Sequence, residues 1–168
     1  MRRGQAFDTM MLVISVIVAV AILGILLGFI GGINLFGSTA DYIMPQLLKK
    51  VSQSGYGVES ASSVEFKIDS KLYWKNIIGE TSVDPANLFA ACDSNICGSG
   101  KSLTLPTGNP SESSKITVNK GVKANIAICT ADGVTYCMII HASKKTASDK
   151  CDAFITASTH LQGQCTVS

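Results

Sequence analysis

The sequence predicts an α+β protein in which a long N-terminal hydrophobic α-helix precedes a small, β-rich globular head stapled by disulfides. Three observations predict this class. An uncharged run extends from Thr9 to Ala40, six cysteines all follow it, and alternating apolar and polar residues recur towards the C-terminus. From Asp41 onward twelve basic residues face eleven acidic ones. This near-neutral balance does not favour nucleic acid as a partner.

The uncharged run is apolar enough to predict a helix that enters or spans a membrane. Ser15 is the only polar side chain between Met10 and Ile30, a length that rises about 30 Å as a helix, close to the hydrocarbon thickness of a bilayer. Arg2 and Arg3 precede the run and no further basic residue follows before residue 49. The positive-inside rule therefore predicts a cytoplasmic N-terminus and a head outside the cell.

The first residues resemble a known signal. Arg2-Arg3-Gly4-Gln5, followed by a long apolar segment, is similar to the class III signal peptide of archaeal type IV pilins. The resemblance implies that a prepilin peptidase removes a leader of residues 1–4 by cutting between Gly4 and Gln5, and that the apolar segment becomes the mature N-terminus. An ordinary cleavable secretory peptide and a permanent single-span anchor are the alternatives.

One position departs from that family. Type IV pilins usually carry Glu as the fifth mature residue, whereas Thr9 stands there in this chain, with Asp8 just before it. The resemblance implies that Asp8 could supply the inter-subunit charge one residue early, towards the amino terminus of a neighbouring subunit. A shifted subunit register, or a chain that forms no filament, is the other interpretation.

Three glycines predict a packing surface on the N-terminal helix. Gly24, Gly28 and Gly32 recur every four residues, so they lie along one side of a helix and let another helix backbone approach closely. Such a groove is of use to a helix in a bundle. The alternative is that glycine is simply frequent in membrane helices.

The remaining elements follow in order. Residues 5–53 are predicted to form the hydrophobic helix and an amphipathic stem that contains Pro45, residues 54–63 a Gly- and Ser-rich linker, and residues 64–168 the head. Within the head, Val64 to Ile68 alternates as a half-buried strand does, and Pro85 to Ala91 predicts a short helix capped by Asp84.

The strongest strand signal is a hairpin. Residues 122–129 and 134–140 are predicted strands on either side of an Asp132-Gly133 turn, and every second residue of each strand places an apolar side chain on one face. The two apolar sets should face the same core. Their members are Val122, Ala124, Ile126, Ile128, Val134, Tyr136, Met138 and Ile140.

An even number of cysteines on the outer side predicts disulfides in an oxidising compartment. Six cysteines allow 15 connectivities, and we favour local pairing. The expected pairs are Cys92–Cys97, Cys129–Cys137 and Cys151–Cys165. The second pair has a difficulty, because a strict two-residue turn places Cys129 opposite Tyr136. It needs an odd loop of three or five residues, or a bulge.

Residues that carry chemistry are sparse. No Cys-x-x-Cys pair is present for redox or zinc chemistry. Of the two histidines, His141 is expected at the rim of the hairpin and His160 in solvent, while Trp74 is expected in the core. We therefore expect neither enzyme activity nor a cofactor or metal.

These features lead to a hypothesis about function. The resemblance implies a structural subunit of an archaeal type IV pilus-like surface filament, used in adhesion or cell–cell contact. Its partners would be its own copies, a prepilin peptidase, a pilus assembly platform and the membrane that holds the subunit before assembly. The alternative is a single-span, membrane-anchored extracellular binding domain that does not polymerise.

Overall fold

The computed structural model describes residues 5–31, 39–157 and 165–166. Contacts divide the chain into two compact units, Met1–Gly37 and Ser38–Ser168. The second unit is called the head here. The predicted α+β class with disulfides agrees with the elements that the structure contains.

The first unit contains helix α1, Gln5–Gly31, whose side chains are described for residues 10–23. Nowhere in the described part of the chain does a helix combine the length and apolarity needed to cross a membrane. This finding corrects the prediction of a long, membrane-spanning N-terminal helix.

The head begins with a helix and contains a four-stranded sheet of order β1-β5-β6-β2 and a two-stranded ribbon of β3 and β4. Strands β2 and β6 are parallel, whereas β5 is antiparallel to both of its neighbours. The elements are α2 Ala40–Ser54, β1 Gly57–Phe66, α3 Trp74–Ile78, β2 Leu88–Cys92, β3 Leu103–Thr104, β4 Thr117–Val118, β5 Val122–Thr130, β6 Tyr136–His141 and α4 Lys144–Thr156.

Helix α2 covers one face of the sheet. Ile43, Leu47 and Val51 recur every four residues and are buried, so the apolar stripe of this amphipathic helix faces the core. Gly55 ends the helix in the left-handed conformation, with its N–H bonded to the Val51 carbonyl, as a C-terminal cap requires. The stretch that was predicted as a stem is therefore part of the head.

The structure also replaces the predicted linker. Most of residues 54–63 belong to β1, which pairs with β5 from Gly57 onward, and the division between units falls at Gly37 instead. Ser-rich composition suggested a loop, but β1 is an edge strand whose first residues are half-buried. Small polar side chains are compatible with such a position.

The hairpin of β5 and β6 buries most of the predicted apolar set, but its turn is longer than the predicted two residues. Ile126, Met138 and Ile140 are fully buried in the α2-side core as predicted. Val134, predicted to share that face, lies in the connection before β6 and is 58% exposed. The register places Thr130 opposite Tyr136, which leaves residues 131–135 as a five-residue connection. Asp132 organises this turn by accepting hydrogen bonds from the N–H groups of residues 134 and 135, at 2.9 and 2.7 Å.

Helix α4, which was not predicted, covers the other face of the sheet. Its N-cap is Ser143, whose hydroxyl accepts from the N–H of Thr146. Earlier in the chain, Asp84 caps a single 3₁₀ turn as predicted. That turn ends at Asn87, however, and the following residues form β2 rather than more helix.

Candidate functional site

The described surface of α1 is apolar and exposed. Every side chain from Met10 to Leu23 is exposed, and the large ones range from 50% at Val18 to 69% at Met10. Ser15 donates its hydroxyl to the carbonyl of Leu12 at 2.9 Å, so the one polar side chain in this stretch is satisfied within the helix. This surface can pack against apolar partners without stranding a polar group.

One side of α1 carries a shallow, open groove. A groove of about 530 Å³ lies along side chains spaced three or four residues apart, the spacing of one helix face. Ser15 and Ala19 are its small members. The groove is lined by Met11, Ile14, Ser15, Val18, Ala19 and Ile22. Its shape suits the close approach of a second helix.

The site residues predicted at the N-terminus lie outside what the structure describes in detail. Gly4 and Gly32 fall outside the described residues. The α1 backbone includes four further site residues, Gln5, Asp8, Gly24 and Gly28. The surroundings of these four fall outside the described part of the chain. Cleavage after Gly4, the charge role of Asp8 and the glycine packing face therefore stay predictions.

The disulfides confirm one predicted pair and correct two. Cys92–Cys97 forms as predicted, with a Cα–Cα distance of 5.9 Å, and closes the turn after β2. The predicted pairs Cys129–Cys137 and Cys151–Cys165 are replaced by Cys129–Cys151 and Cys137–Cys165. No described cysteine is free.

The correction has a geometric cause. Cys129 and Cys137 do lie opposite each other, because the five-residue connection is odd. Both are fully buried in the layer beneath α4. Cys151 projects from α4 into this layer, and Cys165 of the C-terminal region reaches it as well. Each strand cysteine is therefore bonded to a segment that covers the sheet.

A small cleft lies where β2 and β6 end. These strands are parallel, so the residues that follow them meet at one edge: Asp93 after β2 and His141 at the end of β6. Asp93 is 6% exposed. Its carboxylate accepts from the backbone N–H of Asn95 at 2.9 Å and lies 3.4 Å from Nε2 of His141. The cleft has a volume of about 380 Å³.

Electrostatics hold Asp93 ionised. The backbone N–H of Asn95 contributes most to lowering the pKa of Asp93, burial acts in the opposite direction, and the electrostatic interaction with His141 lowers the pKa further. The result is a pKa below the ordinary carboxyl value. A buried carboxylate with this many donors is a stable hydrogen-bond acceptor.

His141 connects the cleft to α4. Its Nδ1 accepts from the N–H of Ser143 at 2.9 Å, and Ser143 is the N-cap of α4. Because Nε2 faces Asp93, both ring nitrogens have partners. The arrangement orients the loop between β6 and α4, whereas a general base needs a nitrogen directed at a substrate. His160 lies outside the described residues.

Sequence reasoning missed the Asp93–His141 pair. The signal that could have found it is the position of each residue at the end of an apolar strand, because carboxyl ends of parallel strands meet at one edge of a sheet. Residues 88–91 were predicted as the end of a helix, so the parallel pairing was not expected. Trp74, in contrast, is buried as predicted and donates Nε1–H to the Leu88 carbonyl at 2.8 Å.

Within the residues that the structure describes, no group of His, Cys, Asp or Glu has the arrangement of a metal site. The chain matches no family model, no curated protein and no solved structure.

Proposed function

We propose that the chain is a structural subunit of a surface filament that resembles an archaeal type IV pilus and is used in adhesion or cell–cell contact. The observation that carries the proposal is the α1 surface from Met10 to Leu23, which is exposed and apolar along its described length. Contiguous apolar patches larger than a few hundred Å² mark interaction sites.

Packing against other copies of the same helix would cover that surface. Removing apolar area from water stabilises an assembly by about 25 cal/mol per Å². The groove around Ser15 and Ala19 admits a neighbouring helix, and the Ser15 hydroxyl stays bonded to its own helix. Association through residues 10–23 of α1 therefore gains apolar burial while the one polar side chain of this stretch keeps its partner.

The resemblance in the first residues completes this proposal. Residues 1–4 would be removed between Gly4 and Gln5 by a prepilin peptidase, and an assembly platform would add the subunit to the filament. Asp8 would face the amino terminus of a neighbouring subunit. Gly24 and Gly28 would provide a second close-packing side, on a different face of α1 from the groove.

Properties of the head support a position outside the cell. All described cysteines are in disulfides, a state that persists in oxidising compartments. The head is a compact unit by itself, with a large apolar core of its own. Such a unit can coat a filament without depending on α1 for its fold.

The test combines the mature terminus with assembly. In the native host we expect mass spectrometry to find a chain beginning at Gln5 and negative-stain microscopy to show filaments that disappear when the gene is deleted. Ala19→Leu fills the groove and should reduce filament mass strongly, whereas Ala21→Leu adds the same volume at an exposed position outside the groove and should reduce it less.

Two outcomes would contradict the proposal. An intact Met1 together with purified material that remains a single detergent-bound molecule would support the non-polymerising binding domain instead. Filaments that persist after deletion of the gene would show that another protein forms them.

A further inference from the structure

The contacts of His141 define which of its ring nitrogens carries the proton. The backbone N–H of Ser143 donates to Nδ1 at 2.9 Å, and such a donor needs a nitrogen with a free lone pair. Nε2 lies 3.4 Å from the carboxylate of Asp93, which accepts hydrogen bonds and has no hydrogen to donate when ionised. His141 is therefore neutral in this arrangement, with its single proton on Nε2.

A second proton on His141 would have to bind at Nδ1. The imidazolium ion carries a hydrogen on both nitrogens, so Nδ1 and the N–H of Ser143 would then be two donors facing each other. Asp93 acts in the opposite direction, because a carboxylate beside the ring favours its charged form. Protonation therefore strengthens the contact with Asp93 and breaks the contact with Ser143.

The other groups around the ring leave this choice to Asp93 and Ser143. Opposite His141 on β5 lies Asn125, a neutral residue whose amide donates to the carbonyls of residues 141 and 142 at 3.2 and 2.6 Å. The N–H of Asn95 holds the pKa of Asp93 below its ordinary value, so this carboxylate stays charged while a histidine titrates. The remaining charged side chains nearby on β5 and α4 are exposed to solvent, and they are Lys123, Lys144, Lys145 and Asp149.

Ser143 connects the ring to helix α4. Its hydroxyl accepts from the N–H of Thr146 at 3.4 Å and its carbonyl from the N–H of Ala147 at 3.1 Å. Loss of the bond to Nδ1 frees the backbone of this N-cap, and an N-cap stabilises the first turn of its helix. One turn further along, Cys151 is bonded to Cys129 of β5, so the opening should be confined to the start of α4.

We propose that His141 is an acid-sensitive switch, in which a proton gained at Nδ1 releases Ser143 and opens the first turn of α4 while Asp93 retains the ring. Histidine is the side chain whose charge ordinarily changes between about pH 5 and pH 8, so the switch responds to mild acid. It lies entirely within the head and does not depend on the filament proposal.

NMR of the oxidised full chain with ¹⁵N-labelled histidine reads the protonation state of the ring directly. We expect His141 to be the Nε2–H tautomer at about pH 7.5 and to carry a proton on both nitrogens at about pH 5. His141→Gln removes one set of signals and thereby distinguishes His141 from His160. A proton on Nδ1 at the higher pH, or a ring that stays neutral at the lower pH, would overturn the proposal.

Hydrogen exchange tests the coupling to α4, expressed as protection factors so that the intrinsic effect of pH on exchange is removed. Over the same pH range we expect protection of the Thr146 and Ala147 amides to fall about fivefold, the effect of losing one hydrogen bond. Protection of Leu47 and Val51 in α2 should stay constant.

His141→Gln is the matched control, because its amide does not titrate, and its protection factors should not change over this range. An equal fall in His141→Gln would show that another group is the sensor and would overturn the proposal. Constant protection at the start of α4 in the parent chain, while the ring gains its proton, would overturn it as well, and this outcome needs no variant.

Discussion

The two faces of the head sheet are covered by helices of similar length that are held in different ways. The α2 face buries large side chains, among them Trp74, Phe66 and Leu48. The α4 face buries mainly alanines and four cysteines, with Phe154 as its largest fully buried side chain. Buried apolar side chains stabilise the α2 layer, whereas disulfide bonds contribute much of the stability of the α4 layer.

The comparison shows what disulfides contribute in this head. Fully burying a large apolar side chain contributes about 1.5–3 kcal/mol, whereas an alanine offers little area. Helix α4 has three buried residues, Ala147, Cys151 and Phe154, so apolar contacts alone would hold it weakly. A disulfide contributes about 2–4 kcal/mol, which is comparable to burying one or two large side chains.

The largest expected effect is a cavity in the α2 layer. Phe66 is fully buried, and Phe66→Ala should lower the free energy of unfolding by about 3–5 kcal/mol. Phe89 is half-buried against the α4 layer, and Phe89→Ala is the matched control, with an expected cost of about 1–2 kcal/mol. Urea denaturation of the oxidised protein measures both. Equal losses would show that the two layers contribute alike.

Removing a covalent bond from the α4 layer should have the next largest effect. Cys129 and Cys151 are separated by 22 residues, compared with 5 for Cys92 and Cys97. Loop entropy predicts a loss of about 3 kcal/mol for Cys129→Ala/Cys151→Ala and about 2 kcal/mol for Cys92→Ala/Cys97→Ala. Urea denaturation measures the order of the two losses.

The same variants test whether the α4 layer opens independently. In Cys129→Ala/Cys151→Ala we expect amides of α4 to exchange faster while amides of α2 stay protected, because only the α4 layer depends on the Cys129–Cys151 bond. Loss of protection in both helices to the same extent would mean that the head unfolds as one cooperative unit.

The disulfide result shows how far the sequence alone predicts this head. The period of two predicted which hairpin residues share the α2-side face, because it is a local property, but it did not show that the opposite face is buried as well. The odd register that brings Cys129 opposite Cys137 was recognised as a possibility. The pairing could not be predicted, since it depends on α4, whose buried residues are few and form a weak periodic signal.

Other differences have the same origin in tertiary context. Helix α2 was correctly expected to be amphipathic, but its partner is the sheet of the head, which local sequence does not specify. Asp93 and His141 are 48 positions apart in the chain, and they meet only because β2 is parallel to β6. Features that depend on two distant elements were the ones that sequence reasoning missed.

A smaller effect is expected where the hairpin turn meets the end of α2. Gly133 has a φ of +70°, and a Cβ there would lie 3.2 Å from the Gly55 carbonyl oxygen. Gly100 has a φ of +72° and open space around it. Gly100→Ala should therefore cost about 1 kcal/mol from the left-handed backbone alone, and Gly133→Ala about 2 kcal/mol. Equal thermal shifts would show that the Gly55 contact yields without cost.

The smallest expected effect links acid to the α4 layer through Asp93. Because the pKa of Asp93 is lowered in the folded state, the unfolded chain takes up a proton first as pH falls. The stabilisation is therefore present at neutral pH and is lost as pH falls through the folded-state pKa.

Asp93→Asn keeps the side-chain shape without the charge. The difference in urea midpoint between the parent chain and Asp93→Asn should be largest at pH 7 and shrink towards pH 3. Since His141 bonds to the N-cap of α4, amides at the start of α4 should lose protection before those of α2, and a difference that stays constant with pH would exclude the carboxylate as the cause.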